Sequence, residues 1–215
     1  WTRFDLHEVR RVKRSAGVTL NDVVLAIVAG GLADYLHDTF EPDGGHAPKV
    51  LVPVSTHGTD AGREIENRFS VMLACLPLDV SDPVDRLRAV HAEMERHKQS
   101  SQADMGPLLF AIGDLVPNWL LRAVGPVVLR NQPFANLAVT NLPGSREPLY
   151  LLGARLLDLF PFITVTGNLA LIIGVISYDD RLEVSFTVDA DVIADLDRLV
   201  ASTELAANDL FAAVP

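Results

Sequence analysis

Three short stretches set polar side chains beside apolar ones in ways that can position a reacting group. They are Thr19-Leu20-Asn21-Asp22-Val23-Val24-Leu25-Ala26, Asn67-Arg68-Phe69-Ser70 and Thr140-Asn141-Leu142-Pro143-Gly144. Carboxamides, hydroxyls and a guanidinium at the rim of apolar structure can orient a substrate or donate to a developing oxyanion. Each stretch also has a plainer reading. Thr19 and Asp22, three residues apart, form a capping box at a helix start, and Asn141, Pro143 and Gly144 are turn residues. On periodicity alone the structural reading is preferred. The rest of the chain offers little chemistry: it has no G-x-S-x-G elbow, P-loop or G-x-G-x-x-G. Six histidines are scattered without metal-ligand spacing. His57 falls in a polar loop, and His91 and His97 lie on a charged helix where solvent exposure is expected. The single cysteine, Cys75, sits in an apolar run and reads as a buried strand thiol rather than a nucleophile.

The elements that must hold these residues follow from pattern. Leu6 to Ala16 reads as a short charged helix ended by Gly17. Thr19 opens a second helix, with Val18 and Val23 at the staple positions. From Val23 to Ala33 that helix is apolar on every face, which implies burial all round. Val50 to Val54 is a short strand in which Pro53 demands an edge or a bulge. Arg68 to Leu76 reads as a strand buried on both faces. Ser81 and Pro83 open an amphipathic helix running to Lys98, and Pro107 to Leu129 gives two short helices divided by Pro117. Asn136 to Asn141 is a strand, and Asn168 to Tyr178 another. A turn at Asp179-Asp180 leads into an alternating strand whose Glu183, Ser185 and Thr187 are expected to face out. Asp191 is the expected cap of a last helix. Strands and helices without regular βα alternation predict an α+β fold, a mixed β-sheet covered by helices, and not a doubly wound sheet.

Composition narrows the function. The 215 residues carry 28 acidic and 18 basic side chains, a net charge of -10. That excludes a nucleic-acid surface, which needs clustered Lys and Arg, and simple electrostatic adsorption to anionic lipid. Any membrane contact has to be apolar. No stretch reaches the roughly 18 uninterrupted apolar residues of a spanning helix; Leu108 to Leu129 comes nearest, interrupted by Asp114, Asn118 and Arg122. These three recur every four residues and would form one polar stripe, leaving a wide apolar face on which Trp119 and Leu120 are the expected lipid contacts. Burial against the sheet or a partner is the other account of that face. The sequence opens on Trp1 without a signal-peptide pattern, so the chain is expected to start within a longer polypeptide.

The three polar stretches, in this order and spacing, resemble the wax ester synthase/diacylglycerol acyltransferase family. That family carries N-D-V-V-L-A, G-N-R-x-S and S/T-N-x-P-G-P elements; here they stand as Asn21 to Ala26, Asn67 to Ser70 and Thr140 to Gly144. Arg146 to Tyr150, Ser177-Tyr178 and Arg181-Leu182 extend the likeness, which covers about Phe4 to Leu210. Glu66 stands in place of the usual glycine before Asn67, and Ser145 in place of the proline after Gly144. The family's H-H-x-x-x-D-G stretch, found in its N-terminal half, does not occur in this sequence.

The resemblance implies the C-terminal half of a two-domain enzyme of the chloramphenicol acetyltransferase/condensation-domain superfamily, with the active site in a tunnel between halves. The N-terminal histidine would act as general base on an alcohol or diacylglycerol hydroxyl, which attacks the thioester of acyl-CoA. The implied products are triacylglycerol or wax esters. No catalytic residue is expected in this chain. Asn21, Asn67, Arg68, Ser70, Thr140 and Asn141 are expected to line or brace the tunnel, and Thr19, Asp22, Pro143 and Gly144 to serve as structural motif residues. Acyl-CoA enters as substrate, and neither a metal nor another cofactor is implied. The expected partners are the N-terminal half and a lipid surface, and the expected location is cytoplasmic, peripherally attached to membrane or lipid droplets. The rival reading is a condensation-like half that has lost catalysis and serves as a binding scaffold; a sterol or glycolipid hydroxyl is a third possibility for the acceptor.

Overall fold

The computed structural model describes residues 1–37, 48–55, 69–100, 134–165 and 167–215. The expected helices at 107–129, with Trp119 and Leu120, and the polar residues Asn67 and Arg68 lie outside the described residues, as does His57. Within them, eight strands and four helices form. The strands are β1 (Thr2–Asp5), β2 (Lys49–Ser55), β3 (Phe69–Cys75), β4 (Leu137–Leu142), β5 (Tyr150–Leu151), β6 (Ala154–Arg155), β7 (Leu171–Tyr178) and β8 (Arg181–Val188). The helices are α1 (Leu6–Ala16), α2 (Leu20–Leu36), α3 (Pro83–Ser100) and α4 (Leu196–Ala213).

Six strands make one sheet in the order β1-β8-β7-β4-β2-β3. β4 runs parallel to both β2 and β7, and the remaining pairs are antiparallel. The helices lie on one face. Leu137, Val139, Leu171, Ile173, Val175, Leu182 and Val184 point into a core shared with α2, which is buried from Asp22 to Leu32. Its Gly31 lets α4 approach closely, since a Cβ there would stand 2.7 Å from the Thr203 Cα. On the opposite face the segment 156–165 crosses the sheet. Its Pro161 packs on Gly174 and takes a hydrogen bond from the Ser185 hydroxyl.

Several expectations change on contact with this arrangement. β2 is not an edge strand, yet Pro53 is tolerated: the pairing to β4 covers only Val50 and Leu51, so Pro53 has a ladder partner on the β3 side alone. β3 ends the sheet instead of lying inside it. Met72 and Ala74 are buried while Cys75 is exposed, so Cys75 is not a core thiol. The cap of α3 is Asp82, not Ser81, its carboxylate accepting from the amides of Val84 and Asp85 at 2.9 and 2.8 Å. The last helix is capped by Asp195, not Asp191. The capping box at α2 forms as expected, with Thr19 and Asp22 exchanging bonds of 2.9 and 3.1 Å, and α1 ends at Gly17 in the left-handed region. No single helix among the described residues is long and apolar enough to cross a membrane.

Candidate functional site

The parallel alignment of β2, β4 and β7 decides which polar residues meet. The C-terminal ends of those strands lie at one end of the sheet, and the antiparallel β3 starts there, with Ser70 opposite Val54. Ser70, Thr140, Asn141, Pro143 and Gly144 therefore gather at a single end although 70 positions separate the first two. Thr140 and Asn141 are both half-buried. As neighbours on a strand they face opposite sides of the sheet: Asn141 follows Val139 toward the helical layer, and Thr140 lies beside Gly174 on the other face. The Thr140 hydroxyl is buried without a hydrogen-bond partner among the described residues.

From this end projects a hairpin arm. β5 and β6 are joined by Leu152 and Gly153, both with positive φ (51° and 83°), the geometry of a tight two-residue hairpin turn. The arm is pinned at its base by buried Tyr178. Its hydroxyl donates to the Leu156 carbonyl (2.8 Å) and accepts from the Leu149 amide (2.9 Å). Its tip is apolar and bare: Tyr150 is 65% exposed, Leu151 76% and Leu152 100%. Leu142, Leu149, Leu157 and Phe162 extend the same uncovered character. The arm is thus an exposed apolar patch tied to the sheet at its base.

The third stretch sits in the helical layer. Asp22 is wholly buried, and its Oδ2 receives, besides the Thr19 amide, the Nδ1 of His91 at 2.8 Å. The solvent-facing placement expected for His91 is therefore corrected: one edge of its ring is turned to α2. His97 likewise reaches Glu93, at 3.0 Å. Asn21 is half-buried. Among the described residues no hydrogen bond or ion pair joins the α2 N-terminus to the β4 end of the sheet, and no three His, Cys, Asp or Glu side chains gather as a metal site would require.

Alternation hides one group. It assigns Glu183 to the solvent, yet the segment 156–165 roofs that face and leaves the carboxyl with no exposed surface. Both its oxygens lack a hydrogen-bond partner among the described residues, and Arg3 stands 3.9 Å away. Burial pushes its pKa up, while Arg3 opposes the shift. The folded state then holds the proton more tightly than the unfolded chain. Stability from this group is complete below the ordinary glutamate range and is lost as pH rises through the raised value. Glu183→Gln should remove that dependence. Urea midpoints from pH 4 to 8 should show wild-type stability falling relative to the variant as pH rises; a constant difference would refute it.

The family model for the WS/DGAT C-terminal domain matches residues 65–210. The chain belongs to the wax ester synthase/diacylglycerol acyltransferase family. It is 36% identical over 208 residues to a putative diacylglycerol O-acyltransferase of Mycobacterium bovis, covering 96% of this chain and 45% of that protein. The solved wax ester synthase/diacylglycerol acyltransferase from Marinobacter aquaeolei superposes with a TM-score of 0.69 at 26% identity, over 97% of this chain and 47% of that one. The epimerization domain of tyrocidine synthetase B shares the fold alone, at TM-score 0.54 and 13% identity, over 99% of this chain and 47% of that one. The α+β, condensation-like fold read from the sequence is therefore the fold of this family domain. The chain spans about half the length of the relatives it matches.

Proposed function

We propose that these residues are the C-terminal half of an acyl-CoA-dependent O-acyltransferase that makes triacylglycerol or wax esters and completes the substrate tunnel against an N-terminal half. The hydroxyl of diacylglycerol or a long-chain alcohol gives its proton to the N-terminal histidine. Its oxygen attacks the thioester carbonyl, the tetrahedral oxyanion collapses, and the coenzyme A thiolate leaves and takes up a proton. Acyl-CoA is a substrate, and the reaction uses no other cofactor. The observation that carries the reading is the hairpin arm. An apolar tip with Leu152 fully exposed is a poor surface in water and a good one against a second half, in a family whose members are about twice this length.

Asn21, Ser70, Thr140 and Asn141, with Asn67 and Arg68, supply polar groups to the tunnel wall in this reading. Asp22 is already occupied by the cap and His91, whereas no described residue bonds the Asn21 amide. Asn21→Ala should therefore cut turnover of the full-length enzyme about tenfold or more with little change in melting, as expected for a lost positioning contact. Asp22→Ala should lower stability by about 1 kcal/mol for the cap alone, and by more for stranding His91. Steady-state rates and thermal melts of both variants decide it; the opposite pattern would reverse the two roles.

We further propose cytoplasmic attachment to membrane or lipid droplets through the apolar sequence stretch 108–129, which includes Trp119 and Leu120. With a net charge of -10, docking depends on apolar contact. Flotation of the full-length enzyme with liposomes should persist in high salt and weaken in Trp119→Ser or Leu120→Ser. Release by salt, with both variants still bound, would refute it.

A further inference from the structure

We propose that His91 is a positioning residue for the acyl-transfer reaction: through Asp22 it fixes the first turn of α2 and, with it, the side chain of Asn21. The inference rests on the reading of Asn21 given above.

The geometry asks for more than a helix cap. A capping box needs one side-chain acceptor for the N-cap amide, and the Asp22 Oδ2 meets that need from Thr19. Yet Asp22 has no exposed surface, and the same oxygen also takes the Nδ1 of His91 from α3, 69 positions away in sequence. A carboxylate oxygen only accepts, so the ring donates through Nδ1, and the contact sets the ring plane. Among the described residues Oδ1 has no partner. The buried carboxylate is then held by two donors on a single oxygen, one from its own helix and one from a neighbour. Without the His91 donor the first turn loses this tie to α3. Asn21 stands on that turn, adjacent to Asp22, half-buried and with its amide unbonded by any described residue. The packing below is unforgiving. α2 is buried from Asp22 to Leu32, and Arg86 of α3 donates to the Ala26 carbonyl at 3.2 Å. The α2–α3 contact is thus rigid one turn further on, and His91 carries that rigidity to the terminus where Asn21 sits.

The experiment uses the full-length enzyme and follows ester formation, melting temperature and the split between kcat and KM. His91→Ala should lower kcat about tenfold with the KM for acyl-CoA unchanged, because a misplaced polar group costs rate more than binding. His91→Asn keeps an N–H donor at the Nδ1 branch and should restore kcat to within about threefold. Where His91→Ala fails to fold, His91→Gln repeats the comparison, since it fills the space but carries its donor one carbon further out. The double variant Asn21→Ala/His91→Ala should be no slower than Asn21→Ala alone, the signature of residues acting in series. A lower melting temperature with kcat unchanged in His91→Ala would make the pair merely structural and overturn the inference. Multiplying losses in the double variant would overturn it too. Full activity in Asn21→Ala would overturn the reading of Asn21 and this inference with it. Loss in Asn21→Ala beside full activity in His91→Ala would overturn this inference alone.

Discussion

Expressed by themselves, these 215 residues should form no triacylglycerol or wax ester from acyl-CoA, and activity should return when the N-terminal half is supplied. The reason is chemical. A weakly acidic alcohol needs a base in the transition state, and such a base contributes about 10²- to 10⁴-fold. The chain holds no adjacent pair of histidines. Among the described residues its three histidine–carboxylate contacts, His7 with Asp180, His91 with Asp22 and His97 with Glu93, tie helices and neighbouring turns together. Holding acyl donor and acceptor side by side adds a further large factor, which in the proposed reading needs both halves. The expected loss is thus about four orders of magnitude or more. The measurement must follow the ester product, since release of coenzyme A also reports thioester hydrolysis. Ester formation by the isolated residues within about a hundredfold of the whole enzyme would overturn the division of labour.

The same exposed arm that supports this division shapes how the isolated half behaves. Tyr178 anchors the hairpin from inside the sheet, so the arm does not need a partner in order to form. In the proposed reading the N-terminal half would cover Tyr150, Leu151 and Leu152, which are exposed here. A preformed arm loses little conformational freedom on docking, which would favour tight association if the proposed halves meet there.

Much of this organisation is legible in the chain, and the failures share a cause. The α2 start is readable because its signals are local: Thr19 and Asp22 lie within one turn, and an all-apolar run follows. The helical C-cap at Gly17 and the turn at Asp179 are readable for the same reason. Glu183 is misplaced because alternation assigns a strand residue to a face but says nothing of what covers that face; the roof comes from residues 156–165, outside the strand's own pattern. Cys75 fails in the opposite sense, since an apolar run looks buried on both faces until the sheet proves to end at β3. His91 is hidden by its charged neighbours on α3, while its partner Asp22 is 69 positions distant. The gathering of Ser70 with Thr140 and Gly144 needs the parallel β2–β4 pairing, a long-range fact that no local spacing carries. The likeness to the family brings those segments together by their order alone, without the geometry.

Gly144 is where a residue that reads as a flexible turn proves to be a matter of space. Its φ is not among the positive values, so another residue could adopt its backbone. The obstacle is β7. A Cβ at position 144 would lie 2.0 Å from the Ser177 carbonyl oxygen and 3.1 Å from Ile176. The contact cannot relax by rotating a side chain, because the blocking atom belongs to the backbone of a sheet strand. The Gly144 amide is itself tied to the Ser177 hydroxyl at 3.1 Å, and the Ser145 carbonyl to the Asp179 amide at 3.0 Å. Gly144→Ala must therefore either break this lacing or push β7 off its neighbours, at a cost of about 2–3 kcal/mol. For a domain of this size that is a fall of about 5–10 °C in melting temperature. Gly153 provides the contrast. It has φ of 83° at the arm's turn, and a Cβ there would meet no other atom within 4 Å. Gly153→Ala meets only the left-handed backbone penalty, about 1 kcal/mol. Thermal melts of the two variants should thus separate, with Gly144→Ala clearly the lower. Equal melting, or a lower value for Gly153→Ala, would mean that the β4 end is free to move away from β7, and the close approach that gathers Thr140, Asn141 and the arm's root would not be a fixed feature of the domain.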